Sequence, residues 1–253
     1  MFADAALRSA ADVSPGVRPP ESSAPFRVYY LAHAGGTGAE FSRSVFSEKN
    51  IELVGVRYPG RGGRRREPDP GTLDGLVSAL LTEVAPSGAF GLFGHSMGAL
   101  LAYEMTRKLI TLGRDVPRHL WLSACPAPHL PRREAPLAHL GDAELLRAVA
   151  GRHGAVPQEV LNQPTLAALI VPPLRADYRR VEEYGFRPGP AVPGPVHVLY
   201  GNDDIVSMDR LRPWGDLTEI PPTMHGFPGG HFYLDEHRPA VLRLIENTVR
   251  QQL

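Results

Sequence analysis

The 253-residue chain carries 27 Lys+Arg and 27 Asp+Glu, so its formal net charge at pH 7 is zero. That balance argues against a general nucleic-acid binder, whose phosphate affinity comes from an excess of Lys and Arg. A composition of 43% hydrophobic and 21% charged residues excludes a chain disordered throughout. Cys125, the only cysteine, can form neither an internal disulfide nor a zinc site by itself. No run of 18 apolar residues is present to span a membrane, and the N-terminus lacks the apolar stretch of a signal peptide. A soluble, cytoplasmic protein without membrane or nucleic-acid partners is the expectation. The length suits one large domain or one with an insertion, and a chain of this size buries roughly 70–75% of its unfolded surface.

Residues 1–25, rich in Ala, Ser and Pro, read as a disordered leader, with a single domain over 26–253. Short apolar runs then alternate with longer amphipathic ones. Phe26–Ala32, Ile51–Arg57, Phe90–Gly94, His119–Ala124 and Val196–Tyr200 lack polar alternation, as expected of parallel strands covered on both faces. Helices are expected at Leu73–Val84, Gly98–Leu112, Met208–Trp214 and Pro239–Gln252. The last of these spaces Val241, Leu242, Ile245 and Val249 three and four residues apart. Strand and helix in alternation predict an α/β fold with a mostly parallel central sheet flanked by helices. One stretch departs from this: Asp142–Arg152, Pro157–Gln163 and Thr165–Tyr184 are all helical in pattern, the last broken at Pro172-Pro173. Inserted between two strands, these helices would cap one edge of the sheet, as a lid over about residues 135–188.

The strongest local signal is Gly94-His95-Ser96-Met97-Gly98, after an apolar run and before a helix. In that context G-x-S-x-G places a serine on a tight strand-to-helix turn, and a side chain at either glycine would collide with a neighbouring element. The helix N-terminus behind Ser96 favours developing negative charge. A serine hydroxyl needs a base, and where hydrolases are built this way the order is Ser, acid, His. His231, after Gly229-Gly230 and before the last helix, is the best placed of ten histidines, ahead of His225 and His237. The six-residue spacing of those three matches no metal-ligand pattern, and no metal or cofactor is expected.

The acid should follow the strand ending at Tyr200, where Asp203 and Asp204 stand side by side; spacing leaves both open. Such a carboxylate would accept from the imidazole Nδ1–H and hold its tautomer. The loop His33-Ala34-Gly35-Gly36, after the first strand, can present a backbone N–H to the serine alongside that of Met97. Losing one such donor costs roughly 3–4 kcal/mol of transition-state stabilisation. Arg57, Arg61, Arg64, Arg65 and Arg66 form a basic run around Pro59-Gly60. A solvated face is expected for Arg64 to Arg66; for Arg57 and Arg61 that reading and a docking patch for phosphate or an acidic partner both stay open. Cys125 is expected to pack at a strand end.

With these pieces in hand, the chain resembles the type II (editing) thioesterases of polyketide and nonribosomal peptide synthesis, within the α/β-hydrolase superfamily. The resemblance runs from about Val28 to Leu234. It is carried by His33–Gly36, Tyr58-Pro59-Gly60-Arg61, Phe93–Ala99, Ala127-Pro128-His129, Leu174-Arg175-Ala176-Asp177-Tyr178 and Gly229-Gly230-His231-Phe232. It implies an α/β-hydrolase fold with Ser96 as nucleophile, His231 as general base and Asp204 as acid, three residues after the strand-end Gly201. It further implies an oxyanion hole from the backbone N–H groups of Ala34 and Met97, and a lid over an acyl chamber. The implied substrate is an acyl thioester on the phosphopantetheine arm of an acyl or peptidyl carrier protein, in antibiotic biosynthesis. Related enzymes with the acid after the preceding strand would place it in Ser123–Ala127, which has no carboxylate. The chain departs from the family at Ala124-Cys125-Pro126, where arginines are usual, and at Ile205, where proline is common. A carboxylesterase or lipase acting on small diffusible esters would need the same catalytic parts.

Overall fold

A computed structural model describes residues 25–41, 46, 50–154, 156 and 158–251. The leader expected over 1–25 lies, apart from Pro25, outside the described residues. Among the described residues six strands form one sheet: β1 (Phe26–Leu31), β2 (Ile51–Gly55), β3 (Phe90–His95), β4 (His119–Ser123), β5 (Val196–Gly201) and β6 (Thr223–Phe227). Their order is β2-β1-β3-β4-β5-β6, and every neighbouring pair is parallel. The apolar runs explain the centre of this sheet, since β3 and β4 are buried along their whole length.

β6 is the strand that apolar runs alone do not announce. It is a half-buried edge with Gly226 in it, so its side chains carry little hydrophobic signal. The sheet is flanked by α1 (Leu73–Val84) and α2 (Met97–Thr111), which meet the expected bounds closely. Thr72 caps α1, its hydroxyl accepting from the Gly75 N–H at 3.0 Å.

Between β4 and β5 the chain inserts α3 (Asp142–His153), α4 (Gln158–Asn162) and α5 (Pro164–Glu183). Pro157, the expected start of the second of these, lies outside the described residues. The expected break at Pro172-Pro173 is absent, and α5 runs through both prolines. Two backbone donors are lost there, but Val171 and Leu174 on either side are buried in a small apolar cluster of the insertion, which offsets that loss. After β5 a short α6 (Met208–Leu211) passes into a 3-10 turn over Arg212–Leu217. The last helix, α7 (Tyr233–Arg250), begins six residues before the expected Pro239. His237 inside it is non-helical (φ −107°, ψ 17°), so Pro239 opens the second of two segments, a position that tolerates proline.

Topology now places the site. The chain leaves β1 to one side for β2 and returns on the other side for β3, so the order in which strands are added reverses between β1 and β3. In parallel sheets a crevice opens at the carboxyl ends of the strands at such a point. The loops after β1, β3, β5 and β6 all emerge on that edge, and they hold Ala34, Ser96, Asp204 and His231.

Candidate active site

Ser96 follows β3 with φ 54° and ψ −118°, a conformation that costs a non-glycine residue energy and persists only where its surroundings impose it. Those surroundings are close backbone contacts. A Cβ on Gly94 would stand 2.1 Å from the Gly98 carbonyl oxygen, and one on Gly98 would stand 2.0 Å from that of Leu31. The steric reason for both glycines, expected from sequence, is thus visible. The Ser96 N–H donates to the Ser123 carbonyl at 2.8 Å and its own carbonyl accepts from Ala99 N–H at 2.9 Å, pinning the turn between β4 and α2. Met97 begins α2, and the leading amides of a helix have no intrahelical acceptor.

The Asp204 carboxylate, with no solvent-exposed side-chain surface, lies 3.1 and 3.0 Å from His231 Nδ1 through its two oxygens. An ionised carboxylate only accepts, so Nδ1 carries the proton and Nε2 keeps a lone pair. Asp203, by contrast, is exposed, and its N–H donates to the Gly229 carbonyl at 2.9 Å. Of the two aspartates that spacing left open, the chain therefore brings Asp204 to His231. The two loops can meet because β5 ends in glycine: a Cβ on Gly201 would lie 2.3 Å from the Gly230 carbonyl oxygen.

Ser96, Ala34 and His231 line two adjoining cavities, which also share His153 and Tyr178. One, of about 310 Å³, is walled by aliphatic side chains of the insertion, among them Val149, Val160, Ile170 and Leu174. The other, of about 490 Å³, opens between the Pro126–Arg132 loop and Tyr184, Phe186 and Ile205. Cys125 is buried beside it, and burial pushes its thiol up to about 12, so it stays protonated at neutral pH.

Several contacts have no counterpart in the sequence reading. The His153 ring from α3 lies over His231 with centroids 4.2 Å apart. Burial, with His231 close by, pushes His153 down to about 3, so it covers the imidazole as a neutral ring. Beneath Ser96, His95 Nδ1 is 2.8 Å from Ser123 Oγ, which is 2.6 Å from the Tyr233 hydroxyl. Burial holds His95 well below its ordinary value. A third group crosses the sheet: His119 Nδ1 is 3.3 Å from His197 Nε2, and His197 Nδ1 is 3.2 Å from His225 Nε2. Each comes from a different strand, so only strand register could have predicted it.

The arginine run divides. Arg65 and Arg66 are exposed, as expected, while Arg64 is half-buried and its Nε donates to Glu67 at 2.7 Å. Arg61 is buried and bonds Asp177 of α5 through two nitrogens, each at 2.6 Å. The sequence left it open between a solvated face and a docking patch; it makes a buried pair instead.

Residues 26–249 match the family model described as the thioesterase domain. The chain belongs to the thioesterase family. It is 33% identical over 225 residues to the thioesterase PikA5 of Streptomyces venezuelae, covering 86% of this chain and 78% of that one. Some relatives are far longer, the chain spanning 16% of their length. Among solved structures, the type II thioesterase BorB from the borrelidin biosynthetic cluster aligns with a TM-score of 0.78 at 36% identity, over 91% of this chain and 94% of that one. ClbQ from the colibactin NRPS/PKS pathway aligns with a TM-score of 0.84 at 28% identity, over 90% and 98%. This thioesterase is accordingly a hydrolase of the α/β-hydrolase fold. Among its described residues, no helix is long and apolar enough to cross a membrane.

Proposed function

We propose that this thioesterase is an editing enzyme of polyketide or nonribosomal peptide assembly, clearing acyl groups from the phosphopantetheine arms of cytoplasmic acyl or peptidyl carrier proteins. The observation that carries the reading is that Ser96, on its strained turn, and the Asp204-bound His231 line the same two cavities. In the reaction, Ser96 Oγ attacks the thioester carbonyl while His231 Nε2 takes the hydroxyl proton, and Asp204 stabilises the resulting imidazolium. The tetrahedral oxyanion accepts hydrogen bonds from the backbone N–H groups of Ala34 and Met97. Collapse breaks the C–S bond, and the thiol of the arm leaves with the proton from His231. Water, deprotonated by the same imidazole, then attacks the acyl-serine; the acyl C–Oγ bond breaks, Ser96 takes the proton back from His231, and the free acid is released.

The cavities suggest how the substrate divides. The smaller one, with its aliphatic wall from the insertion, takes the acyl chain, and its volume is at the low end of ordinary ligand sites. The larger one, between the Pro126–Arg132 loop and Tyr184, Phe186 and Ile205, takes the arm. In this reading α3 to α5 act as the lid.

The test is release of short acyl groups from a loaded acyl carrier protein, run beside hydrolysis of a p-nitrophenyl ester, with Ser96→Ala as the blank. The expected outcome is faster clearance of the carrier-bound thioester and loss of at least about 10⁴-fold in kcat for Ser96→Ala, with its unfolding temperature unchanged. Ester turnover without carrier clearance would instead mark a general esterase, and turnover by Ser96→Ala would remove the nucleophile assignment.

A further inference from the structure

The run Leu174-Arg175-Ala176-Asp177-Tyr178 carries no part of the reaction above, yet its side chains hold α5 against the rest of the site. Residues three and four apart share a helix face, so Leu174, Asp177 and Tyr178 point together toward the loop after β1. Leu174 packs on that loop so closely that a Cβ on Gly35 would come within 2.9 Å of its Cδ1. Asp177, fully buried, accepts four hydrogen bonds. Its Oδ2 takes the Gly35 N–H at 2.8 Å and Arg61 Nη1 at 2.6 Å; its Oδ1 takes Arg61 Nη2 at 2.6 Å and Arg180 Nη1 at 2.8 Å. Arg61 Nη1 also donates to the Gly36 carbonyl at 2.9 Å. Arg180 pairs in turn with Asp69.

Gly35 directly follows Ala34. A bond to the Gly35 N–H fixes the peptide plane between the two residues, and the Arg61 bond to Gly36 fixes the next plane but one along. The loop turns at Gly35 with φ +80°, which glycine adopts without strain and other residues rarely do. The carboxylate that holds it belongs to α5, and α5 also walls the smaller cavity through Ile170 and Leu174.

We propose that Asp177 and Arg61 are positioning residues that couple the seating of α5 to the formation of the oxyanion hole. The Ala34 N–H is aligned for a tetrahedral oxyanion only when α5 is docked and Asp177 grips Gly35. The proposal rests on the thioesterase reading of Ser96 and Ala34 and adds a regulation to it. A helix seated over a bound acyl chain completes the hole, and an unseated one leaves Ser96 without a full set of donors. Every bond to Asp177 is donated to it, so its charge and acceptor geometry are what matter. An amide in its place would turn an NH₂ toward an N–H it cannot accept from.

The experiment compares wild type, Asp177→Asn and Arg61→Lys on an acyl-N-acetylcysteamine thioester, with rates divided by the concentration of Ser96 titrated by a fluorophosphonate. It adds the inhibition constant of an alkylboronic acid, which binds Ser96 as a tetrahedral anion, and the unfolding temperature of each protein. For Asp177→Asn, kcat per titrated site should fall by about 100-fold, the loss typical of one oxyanion donor. The boronic acid should weaken in parallel, with KM within about twofold of wild type. Arg61→Lys, which keeps the charge but not the two-point grip, should lose about 10-fold in both, and it carries the test if Asp177→Asn does not fold. A merely structural role would lower the unfolding temperature and the titratable fraction, leaving kcat per site and boronic acid affinity within about twofold; that result would overturn the coupling. Wild type inert toward both thioester and fluorophosphonate would overturn the thioesterase reading and the coupling with it.

Discussion

Strand β3 buries all six of its residues, among them Phe90, Leu92 and Phe93, whereas helix α5 buries Val171, Leu174, Asp177 and Arg180, two of them charged. The same contrast holds for the larger regions. The sheet and its flanking helices close over a continuous core with Trp121, Trp214, Tyr30 and Phe93 fully buried. The inserted helices have only a small apolar cluster, around Leu145, Leu146, Val160 and Leu174. Polar contacts do much of the rest. Arg175 donates to the carbonyls of Ala138 and Leu140 at 2.6 and 2.5 Å, and Glu182 accepts from the Leu137 N–H at 2.6 Å. Hydrophobic burial is non-directional and makes a rigid platform, while hydrogen-bonded contacts can be exchanged for water and remade. The proposed catalytic residues sit on the first kind of structure, and the inserted helices are built from the second.

The largest expected effect separates chemistry from scaffolding within the rigid region. Asp204→Asn should lower kcat by about 10⁴-fold by favouring the wrong imidazole tautomer, while exposed Asp203→Asn should stay within about twofold of wild type. Steady-state kinetics on both variants checks this, and equal losses would erase the distinction drawn between the two aspartates.

Stability should divide the two regions next. Leu92→Ala in β3 should cost about 2–5 kcal/mol of global stability in denaturant titration. Leu146→Ala in α3 removes a similar side chain from the smaller cluster. Its effect should appear as faster proteolysis and hydrogen exchange confined to α3–α5, because weakly packed segments open without global unfolding. A global loss as large as that of Leu92→Ala would show that the insertion and the sheet unfold as one unit.

The smallest effect concerns acid. Burial pushes His119 down to about 4 and His197 to about 3 from an ordinary 6.5, and lowers His225. Below pH 6.5 the unfolded chain therefore takes up protons that the folded sheet refuses, so stability declines as pH falls toward about 4 and then 3. It is regained as pH rises to 6.5. Replacing His197 by Gln removes one refused proton. Its unfolding temperature should drop less than that of wild type between about pH 7 and about pH 5, even if it starts lower. An equal drop would mean that the acid sensitivity lies elsewhere, for instance in His153 of the insertion, which is also pushed down to about 3.

Much of this protein was legible in its residues because the relevant physics is local. Apolar runs without polar alternation marked β1 to β5, the longer amphipathic stretches between them marked α1 and α2, and two glycines around Ser96 marked the turn that their missing side chains permit. Where a signal was weak or mixed, the structure decided. β6 is a half-buried edge without an apolar run, and α5 passes through two prolines because its flanking residues pack. α7 starts early because a first segment, with Tyr233 and Leu234 buried, precedes the kink at His237.

Spacing left Asp203 and Asp204 open and the resemblance pointed to Asp204; the tertiary structure turns Asp204 toward His231, because adjacent residues with the same side chain differ only in what their loop turns them toward. Tertiary structure alone laid His153 on His231, lined up three histidines across three strands and drew Arg61 out of a basic run into a buried pair with Asp177. Those contacts join residues as far apart as 116 positions. Periodicity and spacing report on a helix turn or a strand pleat, whereas such pairings depend on which loops share one edge of the sheet and how closely its glycines let them approach.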